Sequence, residues 1–338
     1  DGGCRFAVPP FLYFGSDQFS SILLKDLVTR HGLRPLAVVT QPDRKAGRGL
    51  KLRQTPVKQV ALSLGLPLMQ EKSVNSDEFV QYVQRSGAQV ALVLSFGQIL
   101  SQKLLDSLPA GFFNVHLSLL PKLRGAAPVP WAIARGYTLT GVTTFRIVRE
   151  LDAGPVFSKR AVKIAADETS GSLFCKLYEP SLELAMETLK AVGKGDVYLM
   201  EQEHNKATVA RSIESSDGRL NFISPVWKLD RLVRAFSQRP GTFCFWHNKY
   251  NPKMVRGESI RRLRILELSH PIMPDTGHSA GGIITAHDKE GLYVQCGLGV
   301  AKIEKLRPEG KRTMTGEEFV RGYRPSEGDR LLNYGDES

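Results

Sequence analysis

"FLYFGSDQFSSILLKDLVTRHGLRPLAVVTQP", residues 11–42, decides the fold. Residues 11–15 are a short apolar run ending in glycine, a helical spacing follows through Ile22, Leu23, Leu27 and Val28, and "LAVVTQP" at 36–42 reads as a second strand. This is a β-α-β opening. Outward from it, a helix is expected near 56–64, a strand over 89–95, a short helix before Gly111, and a buried strand at "FFNVH", 112–116. Such alternation predicts a parallel sheet with helices on both faces. "GVTTFRIV" (141–148) and "VFSKRAVKI" (156–164) alternate as edge or antiparallel strands do, and 170–191 has a long helical spacing. The turn "GSDQF" lacks the G-x-G-x-x-G spacing, which argues against a nicotinamide or flavin cofactor.

Beyond the long helical stretch the pattern changes. "VGKGDV" and the polar residues up to Arg211 read as a linker, and "PVWKLDRLVRAF" (225–236) as a helix. The short pieces "GTFCFW", "RRLRILEL", "GGIITAH", "GLYVQC" and "VAKIEKLRP", spaced by turn residues, then predict a small antiparallel barrel. A chain of 338 residues exceeds one ordinary core, so the reading is an α/β domain over 1–192, a linker over 193–211 and a β-barrel domain over 212–338. Apolar content of 42% and charged content of 24% suit a soluble globular protein. No apolar segment has the length of a membrane helix, the longest lying near "VALVLSFG", 90–97. Cys4, Cys175, Cys244 and Cys296 are too scattered for a zinc site or a disulfide framework, which points to a reducing compartment. "DGGCRFAVPP" starts at Asp1 without the charged and apolar regions of a secretory signal, so a start or targeting segment is expected to be missing.

The excess charge is concentrated. Residues 42–53 carry a net +4, residues 249–264 a net +5 and residues 301–312 a net +3, together the whole +12 of the chain. Solvated basic loops would account for one such run. Three runs in two domains predict a polyanionic partner, because each phosphate neutralised by Lys or Arg releases condensed counterions.

"NVHLSLLPKLRGAAPVPWA", residues 114–132, supplies the candidate chemistry. On a strand the period of two puts Asn114 and His116 on one face, near the carboxyl end of a parallel sheet, where open α/β folds bind ligands. Pro121, Pro128 and Pro130 stiffen the following loop, and Arg124 beside Gly125 offers a cation to a bound anion. An amide donor beside an imidazole suits addition to a carbonyl. Asp152 in "RELDAGPV" (149–156) is the acid available to orient the imidazole. A hydrogen-bonded structural histidine and a turn-initiating aspartate are the plain alternatives.

"NVHLSLLPKLRGAAP" followed by "GVTTFRIVRELDAGPV" resembles the N-V-H-x-S-L-L-P-x-x-R-G signature and the aspartate loop of the formyltransferases that use 10-formyltetrahydrofolate. "FGSDQF", "TQPDRKAGRGLKL", "TPVKQVA", "LSFGQIL" and "LRPEGKRTMTGEEF" are similar to that family in order and spacing, most of all to members whose acceptor is methionyl initiator tRNA. The resemblance implies a Rossmann-like formyltransferase domain followed by an OB-like barrel. It puts catalysis on Asn114, His116 and Asp152, and the folate cosubstrate beside Ser95, Phe96, Gly97, Gln98, Ile99 and Leu100, with Ser118, Leu119, Leu120 and Pro121. It assigns tRNA contacts to Arg44, Lys45, Arg48, Lys51 and Arg53 of the basic loop, to Arg211, and to Arg261, Arg262, Arg264, Lys305 and Lys311 of the barrel. The implied reaction moves a formyl group from 10-formyltetrahydrofolate to the α-amine of methionyl initiator tRNA for translation initiation, with no metal, in a monomer. Two positions depart from the pattern: Leu117 stands where Gly or Pro is usual, and "ATVARS" (207–212) replaces the Tyr and Lys of A-T-Y-A-x-K. "SFG", "AGPV" and the basic composition point to the mitochondrial matrix, with a bacterial cytoplasm or another organelle as alternatives. Competing readings are formyl transfer to a small amine, hydrolysis of the formyl folate, and an RNA-binding module with a degenerate enzyme domain.

Overall fold

The computed structural model describes residues 8–46, 51–247, 260–271, 281–288 and 291–332. The chain divides into two compact units, one made of Asp1–Pro128, Leu139–Lys163 and Phe174–Arg211, the other of Val129–Thr138, Ile164–Leu173 and Ser212–Ser338.

In the first unit β1 (Phe11–Gly15) is buried along its whole length, as a strand covered on both faces must be. Helix α1 (Gln18–Thr29) begins where the Asp17 side chain accepts the Ser20 N–H at 2.8 Å, satisfying one orphan donor of the first turn. Strand β2 (Ala37–Thr40) follows. Inside the basic run, β3 (Arg44–Ala46) and β4 (Lys51–Arg53) pair antiparallel, a feature that charge without apolar alternation conceals. Helix α2 (Pro56–Ser63) starts on a Thr55 cap with proline in its first turn. Strand β5 (Leu68–Gln70) and helix α3 (Asp77–Arg85) are elements the sequence pattern leaves unread: one is three residues long, and the other buries only Phe79, Val80 and Val83 on an otherwise polar helix. Then come β6 (Val90–Leu94), α4 (Gln102–Leu105), β7 (Gly111–His116), β8 (Leu139–Arg146), β9 (Val156–Lys163) and, from Phe174 on, α6 (Ser170–Lys194), while α5 (Pro128–Ala134) past its first residue and the start of α6 belong to the second unit.

The sheet runs β5-β2-β1-β6-β7-β8-β9, parallel from β5 to β7. Strands β8 and β9 add antiparallel, as their alternation predicts. From β1 the chain builds toward β2 and β5, then returns to start the other half at β6. That reversal opens a crevice at the carboxyl ends of β1 and β6, where such sheets take ligands. Period two sorts the core: Leu12, Phe14, Ala37, Val39 and Phe112 join Phe79 and Val83 of α3 on one face, while Phe11, Val90 and Phe113 meet Leu189 and Val192 of α6 on the other. Phe14 packs edge-on to Phe79, Phe96 and Phe112 with centroids 6.3, 5.2 and 5.5 Å away, each pair adding about 0.5–1.5 kcal/mol beyond burial. Asn114 and His116 therefore share the face of Phe112.

The second unit carries α7 (Val226–Ala235), β10 (Thr242–His247), β11 (Ile260–Ser269), β12 (Ile284–Asp288), β13 (Gly291–Gln295), β14 (Val300–Pro308), β15 (Met314–Thr315), α8 (Gly316–Tyr323) and β16 (Arg330–Leu332). The antiparallel order is β12-β13-β14-β11-β10-β16, with β15 on β14. A bridge between Ile283 and Arg330 joins the two ends, with Ile284 N–H donating to Asp329 O at 2.9 Å and Leu331 N–H to Gly282 O at 2.7 Å. Closure removes the open sheet edge and gives the expected barrel. Its interior holds Trp246, Leu263, Ile303 and Phe319, with Leu229 and Val233 of α7 packed against them. Helix α8, omitted by the β-rich reading of this half, is set by a capping box between Thr315 and Glu318. No helix among the described residues is long and apolar enough to cross a membrane.

Candidate active site

Strand β7 lies between β6 and β8, with Asn114 opposite Val93 and Phe145 and His116 opposite Thr143. The Asn114 side chain is half-buried and, among the described residues, has no hydrogen-bond partner in the protein, so its amide is available to a ligand. His116 is buried and held at one ring nitrogen. Nε2 lies 2.8 Å from Leu123 O. A carbonyl only accepts, so this end of the ring carries the hydrogen. Nδ1 faces Asp152 Oδ2 at 3.6 Å, with side-chain exposures of 6% and 11%, a pair largely shielded from water. The same Oδ2 accepts the Gly125 N–H at 2.7 Å. An unprotonated Nδ1 can take a proton from a reacting amine, and the carboxylate beside it stabilises the cation formed.

Four non-glycine residues among those described have positive φ: Ser95 at 50°, Leu123 at 60°, Asp152 at 49° and Arg324 at 48°. Arg324 merely caps α8. The other three sit in the loops that carry the candidate residues, each at a cost of about 1–3 kcal/mol that surrounding contacts must offset.

The expected folate residues divide by burial. Phe96 and Leu100 are core side chains. Gln98 spends its amide on Val74 N–H at 3.1 Å and Glu71 O at 3.2 Å, pinning the loop. Ser95, Gly97 and Ile99 face outward, Ile99 being 80% exposed. Phe96 O accepts from Ser16 Oγ at 2.9 Å and Gln41 Nε2 at 3.2 Å across the crevice. Ser118 is buried with its hydroxyl on Lys122 O at 2.7 Å, and Leu119 and Pro121 are half-buried. Buried Leu120 accepts Lys159 Nζ on its carbonyl, and partial burial of that ammonium pulls its pKa below the usual lysine value despite the nearby Glu203. Leu117 is buried. Arg124, expected to offer a free cation, is engaged: Nη2 donates to Gln202 Oε1 at 2.7 Å and lies 3.2 Å from His204 Nδ1. Gln202 and His204 belong to the stretch that reads as linker, where polar residues without periodicity give no sign of a site.

Of the expected tRNA residues, Arg44 and Arg53 are exposed, Arg44 donating to Gln41 Oε1 at 2.9 Å. Lys45 and Lys51 lie in β3 and β4, and Arg48 lies outside the described residues. Arg211 is exposed. In the barrel unit, Arg262, Arg264, Arg307 and Lys311 line an open cleft of about 500 Å³ together with Phe243 and Glu309. Arg262 stacks on Phe243 at 3.9 Å and Arg261 on Tyr323 at 5.2 Å. Arg264 Nε is buried without a partner among the described residues, and desolvation with the like charges of Arg307 and Arg262 holds its pKa below the usual arginine value. Gathered cations with one carboxylate among them favour an anion in the cleft. Lys305 is paired with Glu267 at 2.5 Å. No group of three or more His, Cys, Asp or Glu among the described residues is arranged to hold a metal.

Known protein families match the chain in two stretches. The formyl transferase family matches residues 11–189, and the formyl transferase C-terminal domain matches residues 212–324. A methionyl-tRNA formyltransferase of Thermotoga neapolitana is 35% identical over 320 residues, 95% of this chain and 97% of that protein. One from Bifidobacterium adolescentis is 37% identical over 290 residues, 85% of this chain and 88% of that protein. An N-formyltransferase from Helicobacter canadensis, solved with folinic acid and dTDP-3-aminofucose, shares the fold at a TM-score of 0.61 and 14% identity, covering 87% of this chain and 99% of that one. With relatives matched at these identities over nearly their whole length, this chain belongs to the formyl transferase family.

Proposed function

We propose that the protein transfers the formyl group of 10-formyltetrahydrofolate to the α-amino group of methionyl initiator tRNA. The observation that carries the reading is the match, across both units, to relatives of nearly equal length that bear the name methionyl-tRNA formyltransferase. A free amide at Asn114 beside the His116–Asp152 pair supports the chemistry, and the arginine-lined cleft supports a polyanionic acceptor. The crevice suits a flat polar ligand: Ser95 and Gly97 face outward at φ values of 50° and 86°, leaving loop backbone groups within reach. When bound there, the folate supplies an activated formyl carbon on its N10.

The chain's own groups then have distinct work. Asn114 donates its amide N–H to the formyl oxygen as that oxygen gains charge, a contact of a kind that contributes about 2.7–4 kcal/mol in the transition state. His116 accepts the amine proton at Nδ1 and passes it on toward the departing nitrogen, while Asp152 stabilises the protonated ring. Leu123 O and the Gly125 N–H keep ring and carboxylate facing each other. Arg262, Arg264, Arg307 and Lys311 hold backbone phosphates, which orient the acceptor without reading bases.

The test is incubation with 10-formyltetrahydrofolate, with and without methionyl initiator tRNA. Formylmethionyl-tRNA is the expected product. Formate release that is independent of tRNA, or transfer only to a small amine, overturns the reading.

A further inference from the structure

We propose that residues 200–210 form a positioning strap of the active site, in which Gln202 and Thr208 orient the His116–Asp152 pair without touching substrate; the role assigned to that pair rests on the function proposed above. Gln202 is 6% exposed and spends its whole amide on the site loops. Its Nε2 donates to Asp152 O at 2.9 Å and Gly154 O at 2.7 Å, and its Oε1 accepts from Arg124 Nη2 at 2.7 Å and Nε at 3.2 Å. One side chain thus ties the loop that bears Asp152 to the loop that bears Leu123.

Thr208 acts on the other contact. Its Oγ1 accepts the Leu123 N–H at 2.9 Å and its carbonyl accepts the Arg124 N–H at 2.8 Å. Ala210 N–H donates to Arg124 O at 2.6 Å, and Ala210 O accepts from Ala127 N–H at 3.2 Å. The strap therefore pins the backbone on either side of the two groups that hold the pair, Leu123 O on His116 and Gly125 N–H on Asp152. Leu123 and Asp152 both sit in the left-handed region, at φ 60° and 49°. Such residues persist only where neighbours over-determine them, and the strap supplies those neighbours. Gly125 records how close it runs: a Cβ there would stand 2.7 Å from Ala210 O.

A strap that only tacked down a connection would affect melting and leave the imidazole alone. Four variants separate the cases: Gln202→Ala removes the tie, Gln202→Glu turns a carboxylate toward two carbonyls, Thr208→Val removes the acceptor of Leu123 N–H, and Thr208→Ser keeps it. All are assayed well below their melting temperatures. In Gln202→Ala, Gln202→Glu and Thr208→Val, kcat should fall about tenfold or more, the scale of a small misplacement of a catalytic group, with KM for folate and tRNA within about twofold of wild type. Thr208→Ser should stay within about twofold. The deciding readout is the nitrogen–proton NMR signal of the His116 ring in ligand-free protein, assigned with His116→Gln. It should be protected from exchange in wild type and Thr208→Ser, and shifted or exchanging in the other three. An unchanged ring signal in those three overturns the proposal whatever happens to kcat, as does equal loss in Thr208→Ser and Thr208→Val. A wild-type protein without formyl transfer would refute the proposed function instead, while the ring signal still decides on the strap.

Discussion

Gly125 donates its backbone N–H at 2.7 Å to Asp152 Oδ2, the same oxygen that faces His116 Nδ1 at 3.6 Å. The carboxylate is thus placed by main chain, independent of the imidazole it serves. Asp152→Asn can keep the Gly125 contact through its amide oxygen and lose only charge. Turnover of Asp152→Asn and of His116→Ala should fall at least about a hundredfold, within the usual span for general acid–base groups, with circular dichroism and tRNA affinity unchanged. Wild-type turnover in either variant would remove the pair from the chemistry.

Among the described residues Asn114 has no partner to lose, so Asn114→Ala leaves no orphaned group there and should melt within about 2 °C of wild type. Its donor matters most when charge develops on the formyl oxygen. The maximal rate should therefore drop about a hundredfold or more while folate binding, measured by fluorescence titration, changes little. An effect confined to folate affinity would make Asn114 a binding residue.

Gly125→Ala tests the close approach of strap and loop. At φ +112° a Cβ is strained, and it would meet the Ala210 carbonyl, a backbone atom that cannot swing away. Strain alone costs about 1–3 kcal/mol, which lowers the melting temperature by at least about 2–4 °C in a domain of this size. A melting curve superimposable on wild type would mean that the two backbones separate freely.

The arginine cleft predicts a salt signature. Replacing Arg262, Arg264 and Arg307 together with alanine removes up to three phosphate contacts, so the slope of log affinity against log salt should flatten by about 2–3. Initiator and elongator tRNAs should weaken alike, since phosphates carry no sequence information. An unchanged slope in filter-binding titrations would exclude the cleft from the RNA path.

Thiol chemistry follows burial. Cys175 is exposed, while burial drives the Cys244 thiol upward and pushes Cys296 up to about 12. A thiol raised above its unfolded value of 9.0 stabilises the fold below that pH and loses the contribution as pH climbs through the folded value, so neither buried thiol ionises near neutrality. Iodoacetamide at pH 8 should label Cys175 rapidly and leave Cys244 and Cys296 unmodified until the protein unfolds, as read by peptide mass mapping. Fast labelling of either buried thiol under native conditions would contradict this packing.

Much of the architecture is written locally. The apolar run of β1, the spacing of α1 and the valines of β2 each declare their element, because strand and helix periods are properties of a few consecutive residues. Asn114 and His116 share a face for the same reason. Elements whose stabilisation comes from elsewhere stay hidden: β3 and β4 exist by pairing with each other, and α3 by three buried side chains against the sheet.

By itself, then, the sequence determined the principal strands and helices of the parallel sheet, the family, and the residue types able to add an amine to a formyl carbon. Only the tertiary structure decided which main-chain atoms complete the site. That His116 rests on Leu123 O, that Asp152 hangs from Gly125 N–H, and that Gln202, 50 residues beyond Asp152, ties both loops together are relationships among distant backbones. Every residue but proline has the same N–H and C=O to offer, so composition and spacing are silent about which pair will meet. Loop conformations such as φ 60° at Leu123 and 49° at Asp152 run against local preference and exist because packing elsewhere enforces them.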